Sequence, residues 1–139
     1  MIGRYVMKNK YRHLEMIQGI ISRMASNSFL LKGWSVIVVS ALFALAAKDA
    51  NSSFVYLAFF PALAFWILDG YFLRQEKLFR ALYDHVRGLA EEKIDFSMDV
   101  SAVKEKVVSW FKSATSITLS IFHGVICVSI LIVIIIISI

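Results

Sequence analysis

One proline, one cysteine and six glycines in 139 residues leave this chain few breakers and few special chemistries. So little proline and glycine excludes a Gly/Ser linker or a disordered tail, and order is expected nearly throughout. The lone cysteine, Cys127, excludes an intrachain disulfide and any cysteine zinc site. No glycine-rich phosphate loop is present, His13, His85 and His123 lack metal-ligand spacing, and no Cys/His or Ser/His pair lies at a useful separation. His85 follows Asp84 directly, so on a helix the two face different directions and form no dyad. The chain is therefore expected not to be an enzyme and to hold neither cofactor nor metal.

What fills the space is apolar. Hydrophobic residues make up 59% of the chain and aromatics 14%, with charged residues at only 18%, and the mean hydropathy is +0.72. A soluble domain of this size cannot hide so much apolar surface, which predicts an integral membrane protein.

Three long runs nearly free of charge stand out, and the fifteen Lys and Arg residues are divided unequally among the segments around them. Arg4, Lys8, Lys10, Arg12, Arg23 and Lys32 precede or open the first run, and eight more basic residues from Arg74 to Lys112 separate the second from the third. Only Lys48 falls between the first two. Basic residues flanking spans stay on the cytoplasmic side, so the N-terminus is expected inside and the C-terminus outside. The early residues carry charge throughout and lack a compact apolar core with a cleavage site, so no removable signal peptide is expected.

The expected organisation is all-α. Residues 1–28 form a basic amphipathic cytoplasmic arm, with Leu14, Ile17, Ile21 and Met24 along one face. Ser26-Asn27-Ser28 reads as a helix stop or a new N-cap. Residues 29–73 form a transmembrane hairpin with spans at about 29–47 and 54–73, joined by a polar turn from Lys48 to Ser53. Nineteen helical residues cover about 28 Å, enough for the hydrocarbon layer. Pro61 cannot donate to the carbonyl of Leu57 and is expected to kink the second span. With no breaker after Leu73, that helix is expected to continue out of the membrane through Arg74–Glu92, bearing Leu78, Leu82 and Leu89. Residues 74–112 make a cytoplasmic helical layer, in which Glu91–Asp99 reads as a turn. A further helix starts near Ser101 and runs into the third span, 113–139.

Asp69 is the only acidic residue within a predicted span, where an unpartnered carboxylate is costly. Lys32 lies at a similar depth in the antiparallel neighbour, so a structural Lys32–Asp69 ion pair is expected. The functional alternative has Asp69 from several subunits lining a cation-attracting vestibule.

Small and polar residues recur along the third span at Ser113, Ser116, Ser120, His123, Gly124 and Cys127. Ser116-x-x-x-Ser120-x-x-x-Gly124 lets helix backbones approach closely, which makes a packing seam. The alternative is an oligomeric pore lined by Ser113, Ser116, Ser120, His123 and Cys127 in its cytoplasmic half, closed beyond them by a hydrophobic constriction. A proton relay at His123 would need further ionisable residues on its own face, and none is there, so packing is its expected role.

Within residues 1–32 six basic residues face one acidic residue, Glu15, a balance of +5. Attraction to anionic headgroups accounts for such an arm. The alternative is a phosphate ligand, a nucleotide or single-stranded nucleic acid held by Arg4, Lys8 and Arg12 and stacked on Tyr5 or Tyr11.

The stretches Ser26-Asn27-Ser28-Phe29-Leu30-Leu31-Lys32-Gly33-Trp34 and Phe65-Trp66-Ile67-Leu68-Asp69-Gly70-Tyr71-Phe72-Leu73-Arg74-Gln75-Glu76 resemble small bacterial membrane proteins of anti-phage defence operons. They are similar in particular to the membrane effector of two-gene systems that pair a nucleotidyltransferase-like enzyme with a transmembrane partner, as in Hailong. The resemblance implies a homo-oligomeric channel in the bacterial inner membrane, gated by an enzymatically made nucleotide or nucleic-acid ligand, with the nucleotidyltransferase-like protein as partner. The other reading of the residues is a non-conducting adaptor that recruits a cytoplasmic protein through exposed apolar faces around Leu78, Leu82 and Leu89.

Overall fold

A single 48-residue helix, α1 (Ile2–Asp49), opens the chain. The computed structural model describes residues 2–49 and 51–138, with side chains described from residue 8 onward. After a tight turn come α2 (Ser53–Leu57) and α3 (Phe59–Gly88). Two 3₁₀ turns, Glu91–Lys93 and Ser101–Lys106, lead to a short α4 (Trp110–Ala114) and then to α5 (Ile117–Ser138). Among the described residues there is no strand, and three helical segments are long and apolar enough to cross a membrane: one within α1, one formed by α2 and α3, and α5.

At about 1.5 Å per residue α1 is about 72 Å long and α3 about 45 Å. Both therefore outrun a bilayer of about 30 Å and project from it together on the side rich in charge. They pack antiparallel, and their buried residues sort into three tiers. Beyond the membrane Leu14, Ile17 and Ile21 of α1 meet Leu82 and Val86 of α3, with Val103 closing the cluster. A polar tier follows, with Ser28 and Ser35 of α1, Asp69 of α3 and His123 of α5 all buried. Deepest in the apolar runs, Val39 and Ala46 of α1, Val55 and Ala58 around α2, Ala62 of α3, and Ile126 and Ile130 of α5 form the second core.

The two cores are held by different forces. In the water-exposed tier each buried Leu or Ile contributes about 1.5–3 kcal/mol through the hydrophobic effect. Within lipid that drive vanishes, and close packing of Ala and Val against Ile holds the spans together.

Four features depart from or refine the sequence reading. Ser26-Asn27-Ser28 does not stop α1, which runs unbroken across it. The Ser28 hydroxyl donates to Asp69 instead of capping a helix end. At the donor that Pro61 lacks the helix is interrupted, with α2 ending at Leu57 and α3 starting at Phe59, although Ala58 between them keeps helical backbone angles. No continuous helix joins Ser101 to the third span. A 3₁₀ turn, extended Val107 and α4 intervene, and Thr115–Ser116 separates α4 from α5. Several side chains hold that break: Ser109 Oγ accepts from Lys112 N, Thr115 Oγ1 donates to Phe111 O at 2.8 Å, and Trp66 Nε1 takes the carbonyl of Ala114 at 2.8 Å.

The expected exposed face around Leu78, Leu82 and Leu89 is corrected in part, since Leu89 is half-buried and the other two are covered. Both are buried, at 3% and 4% exposure, because the apolar face of the arm covers this stretch of α3.

Candidate functional site

The polar tier is the chemical centre of the molecule. Lys32 Nζ lies 2.6 Å from Asp69 Oδ2 and donates to Ser28 Oγ at 2.8 Å, while the Ser28 hydroxyl donates to Asp69 Oδ1. His123 Nε2 lies 2.9 Å from the same Oδ2 that Lys32 reaches. An ionised carboxylate only accepts, so His123 carries its proton on Nε2 in this arrangement. One acidic side chain is thus held by three donors from two other helices.

Position in the helices explains the convergence. Ser28, Lys32 and Ser35 recur at four and three residues, which places them on one face of α1. Asp69 and Ala62 lie two turns apart on α3, so the face that carries the carboxylate also carries the small residues on which α1 and α5 settle. Gly70, beside Asp69, admits the α4 segment: a Cβ there would stand 2.7 Å from Ala114 Cβ and 3.0 Å from its Cα. Trp66, one turn before Gly70, holds both pieces. Its indole stacks on His123 with centroids 5.6 Å apart and planes at 11°, and its Nε1 binds Ala114 O. Phe122 meets the His123 ring edge-on at 5.1 Å, and its own ring lies 5.9 Å from Lys32 Nζ.

Among the described residues, His123 to Asp69 is the one hydrogen bond that ties α5 to α1 or α3. Elsewhere α5 rests on α2 and α3 through apolar and aromatic packing. Four polar atoms around these helices are buried without a protein partner: Ser35 Oγ, Ser113 Oγ, Ser116 Oγ and His123 Nδ1. Buried polar groups ordinarily have a hydrogen-bond partner, and an orphan costs about 1–3 kcal/mol.

The residues of the third-span stripe all turn toward the hairpin of their own chain. Ser113 and His123 are buried, and Ser116, Ser120 and Cys127 are half-buried. The outward face is mostly apolar, with Ile117, Ile121, Val125, Val128, Leu131, Ile132 and Ile135 exposed beside Thr118. In this conformation the stripe is a seam within one chain.

The basic arm divides between structural and free groups. Lys10 Nζ donates to Leu89 O at 2.9 Å, at the end of α3 where a cation suits the helix dipole. His13 is buried, with Nε2 3.0 Å from Ser97 O and its ring 5.5 Å from that of Phe96. Phe96 adopts a positive φ of 58° to reach it, an uncommon conformation for a bulky side chain. Lys8, Tyr11 and Arg12 are exposed at three- and four-residue spacing, so they share one free face. Arg4 and Tyr5 lie outside the residues whose side chains are described.

Two members of the site escaped the sequence reading. Ser28 was masked by its resemblance to a cap, and the partner of His123 stands on a different helix from the face searched for it. No protein-family model, curated protein or solved structure matches the chain.

Proposed function

We propose that this protein is the subunit of a homo-oligomeric ion-conducting membrane protein, captured here in its shut form, with the Lys32–Asp69–His123 cluster as the clasp that keeps it shut. The observation that carries this reading is the contrast along the bundle. The middle tier, next to the charged end of the apolar runs, buries an ion pair and partnerless polar atoms, which favour water. The tier beyond it is a plug of Val39, Val55, Ile126 and Ile130, which excludes water. A wettable inner half closed by an apolar constriction is the form of a conduction path gated by dewetting.

Opening moves α5. The one hydrogen bond that, among the described residues, ties it to the hairpin and the break at Thr115–Ser116 let it separate as a unit and present Ser116, Ser120, His123 and Cys127 to neighbouring copies. Fourteen of fifteen basic residues flank the spans on one side, which orients that side to the cytoplasm. The exposed face of Lys8, Tyr11 and Arg12 is the proposed seat of the trigger, a nucleotide or single-stranded nucleic acid recognised by phosphate and base stacking. The resemblance to anti-phage membrane effectors supports the same trigger class and a bacterial inner-membrane setting, where opening depolarises the cell.

Purified protein reconstituted in potassium-loaded liposomes tests this. Ion efflux that rises on adding nucleotides or short oligonucleotides, and that responds less in a Lys8→Ala, Arg12→Ala variant, is the expected result. A stable oligomer that remains impermeable under every trigger rejects conduction. Flux that is triggered equally with and without those two side chains rejects the arm as its seat.

A further inference from the structure

We propose that Asp69 is a proton-binding site, loaded from the charged end of the bundle through ordered water along Ser113, Ser116 and Ser120, with His123 as the relay. This concerns the interior of one chain and does not depend on conduction or on the trigger. Hydroxyls of two kinds stand along α4 and α5. Thr115, Ser129 and Ser138 each donate to the carbonyl four residues back at 2.8 Å, which is how a hydroxyl on a helix satisfies itself when its surroundings offer nothing else. Ser113 and Ser116 do not: both hydroxyl oxygens are buried with no protein partner, and so is Nδ1 of His123. Ser113 and His123 are also buried as whole residues, at 0% and 1% exposure. Ser116, Ser120 and His123 follow at steps of four and three residues, which puts them on one face of the helix, and the bond from Ser116 N to Ser113 O sets Ser113 one turn before them. Orphaned polar atoms therefore stand at both ends of a polar ladder. Water making two to four hydrogen bonds is the ordinary partner of such atoms. The seam has room for it, since no neighbouring atom comes within 4 Å of where a Cβ would stand on Gly124, one turn beyond Ser120.

The last rung identifies what the water carries. A seam built for packing alone could end in any small side chain, but this one ends in an imidazole whose other nitrogen donates to a carboxylate. Trp66 stacked on the ring and Phe122 against its edge fix its orientation, so Nε2 stays on Asp69 and the Nδ1 lone pair is left for water. A proton delivered by that water binds Nδ1, and the Nε2 proton passes over 2.9 Å to Oδ2 of Asp69. The imidazole is neutral before and after, in its other tautomer, and the carboxylate becomes a carboxylic acid whose O–H donates back to Nε2. The ionisable groups that face His123 are Asp69 from α3 and Lys32 from α1, which lies 2.6 Å from the same Oδ2. Cys127 stands one turn further along α5, half-buried, Tyr56 of α2 is exposed, and Lys112 of α4 is exposed toward the charged end. The bound proton cancels the charge that Lys32 pairs with, so loading Asp69 is coupled to the contact that joins α1 to α3.

The test uses the full chain in lipid nanodiscs, taken from about pH 8 to about pH 5, the range in which imidazoles exchange protons. Infrared difference spectra read the carboxylic acid C=O stretch, and nitrogen NMR of histidine-labelled protein reads which ring nitrogen of His123 carries the proton, with His123→Gln identifying its signal. A carboxylic acid band that grows on acidification and loses a component in Asp69→Asn is expected, together with transfer of the His123 proton from Nε2 to Nδ1 over the same range. Ser116→Val and Ser116→Thr add the same bulk, and only the second keeps a hydroxyl. After a pH jump the Asp69 component should therefore rise several-fold more slowly in Ser116→Val than in Ser116→Thr. A band that loses nothing in Asp69→Asn would overturn the site. An imidazolium protonated on both nitrogens beside a still ionised Asp69 would overturn the relay, and equal rates in the two Ser116 variants would overturn the water path.

Discussion

His123 and Asp69 meet with Nε2 2.9 Å from Oδ2, and this contact is the hydrogen bond by which the third membrane-spanning helix is held to the first two among the described residues. Lys32 reaches the same oxygen from the other side at 2.6 Å. The carboxylate therefore joins all three spans, and the consequences of disturbing it differ with which partner is removed.

Replacing Asp69 by Asn keeps the shape and leaves the Lys32 ammonium without its counter-charge at membrane depth. Breaking a buried pair this way costs about 3–5 kcal/mol when both groups are fully buried, and the cost here is expected at or below the lower end because Lys32 is partly exposed. Lys32→Met combined with Asp69→Leu removes both charges and should recover much of the loss. Thermal unfolding in detergent of the two single variants and the double variant measures the coupling, and additive losses would mean that the pair does not stabilise the fold.

His123→Ala should free α5 while sparing the ion pair. Cys127, one turn further along the same face and half-buried, is a built-in reporter of that release. Its reaction with a membrane-permeant maleimide should be slow in the wild type and several-fold faster in His123→Ala. His123→Gln, which retains a donor, should fall nearer the wild type. Equal labelling of all three would show that the contact does not hold the helix.

Gly70 should tolerate no side chain. A Cβ at that position meets both Cβ and Cα of Ala114, so backbone must move to admit it. Gly70→Ala is expected to cost about 1–3 kcal/mol, and Gly70→Val to displace α4 and break the Trp66 to Ala114 hydrogen bond. The emission of Trp66 then shifts, which can be read with Trp34 and Trp110 replaced by Phe.

Much of this arrangement is legible in the sequence, and the illegible parts have a common cause. Lys32 and Asp69 can be paired from the sequence because each is the lone charge of its sign in an apolar run and the short turn at Lys48–Ser53 sets their depths. His123 cannot be joined to them that way, since the rotation and offset of α5 depend on the break at Thr115–Ser116. Local bonds at Ser109 and Thr115 contribute to that break, but its placement depends on contacts distant in sequence, at Trp66 and Gly70. The arm and the α3 extension pose a related problem. The apolar faces at Leu14, Ile17 and Ile21 and at Leu78 and Leu82 are each visible by periodicity, but a pattern on one helix does not say whether the other covers it. Ser28 shows the local version, because a hydroxyl before an apolar run serves equally as a cap or as a donor to a neighbouring helix.

Outside the membrane, Asp99 Oδ1 accepts from the Ser101 hydroxyl at 2.6 Å and from its backbone N–H at 2.9 Å. These bonds, the hydroxyl's first, hold its carboxyl below the usual aspartate value. A depressed pKa contributes order that is present above the unfolded value, about 3.9, and is lost as pH falls through the folded value. Protection of the amides in the Ser101–Lys106 turn, with the intrinsic pH dependence of exchange divided out, should therefore hold from neutrality down to mild acid and fall below that range. Asp99→Ala should show the lower protection already at neutral pH, and an acid response that persists in this variant would assign the effect elsewhere.

Single-channel recording of the reconstituted oligomer, comparing wild type with Ile130→Ser, tests the central claim most directly. Ile130 is fully buried in the apolar plug, and a hydroxyl there should wet the constriction without touching the polar tier. The account predicts long closures in the untriggered wild type and frequent spontaneous openings in Ile130→Ser. Silent bilayers from both proteins, with insertion verified, would contradict it.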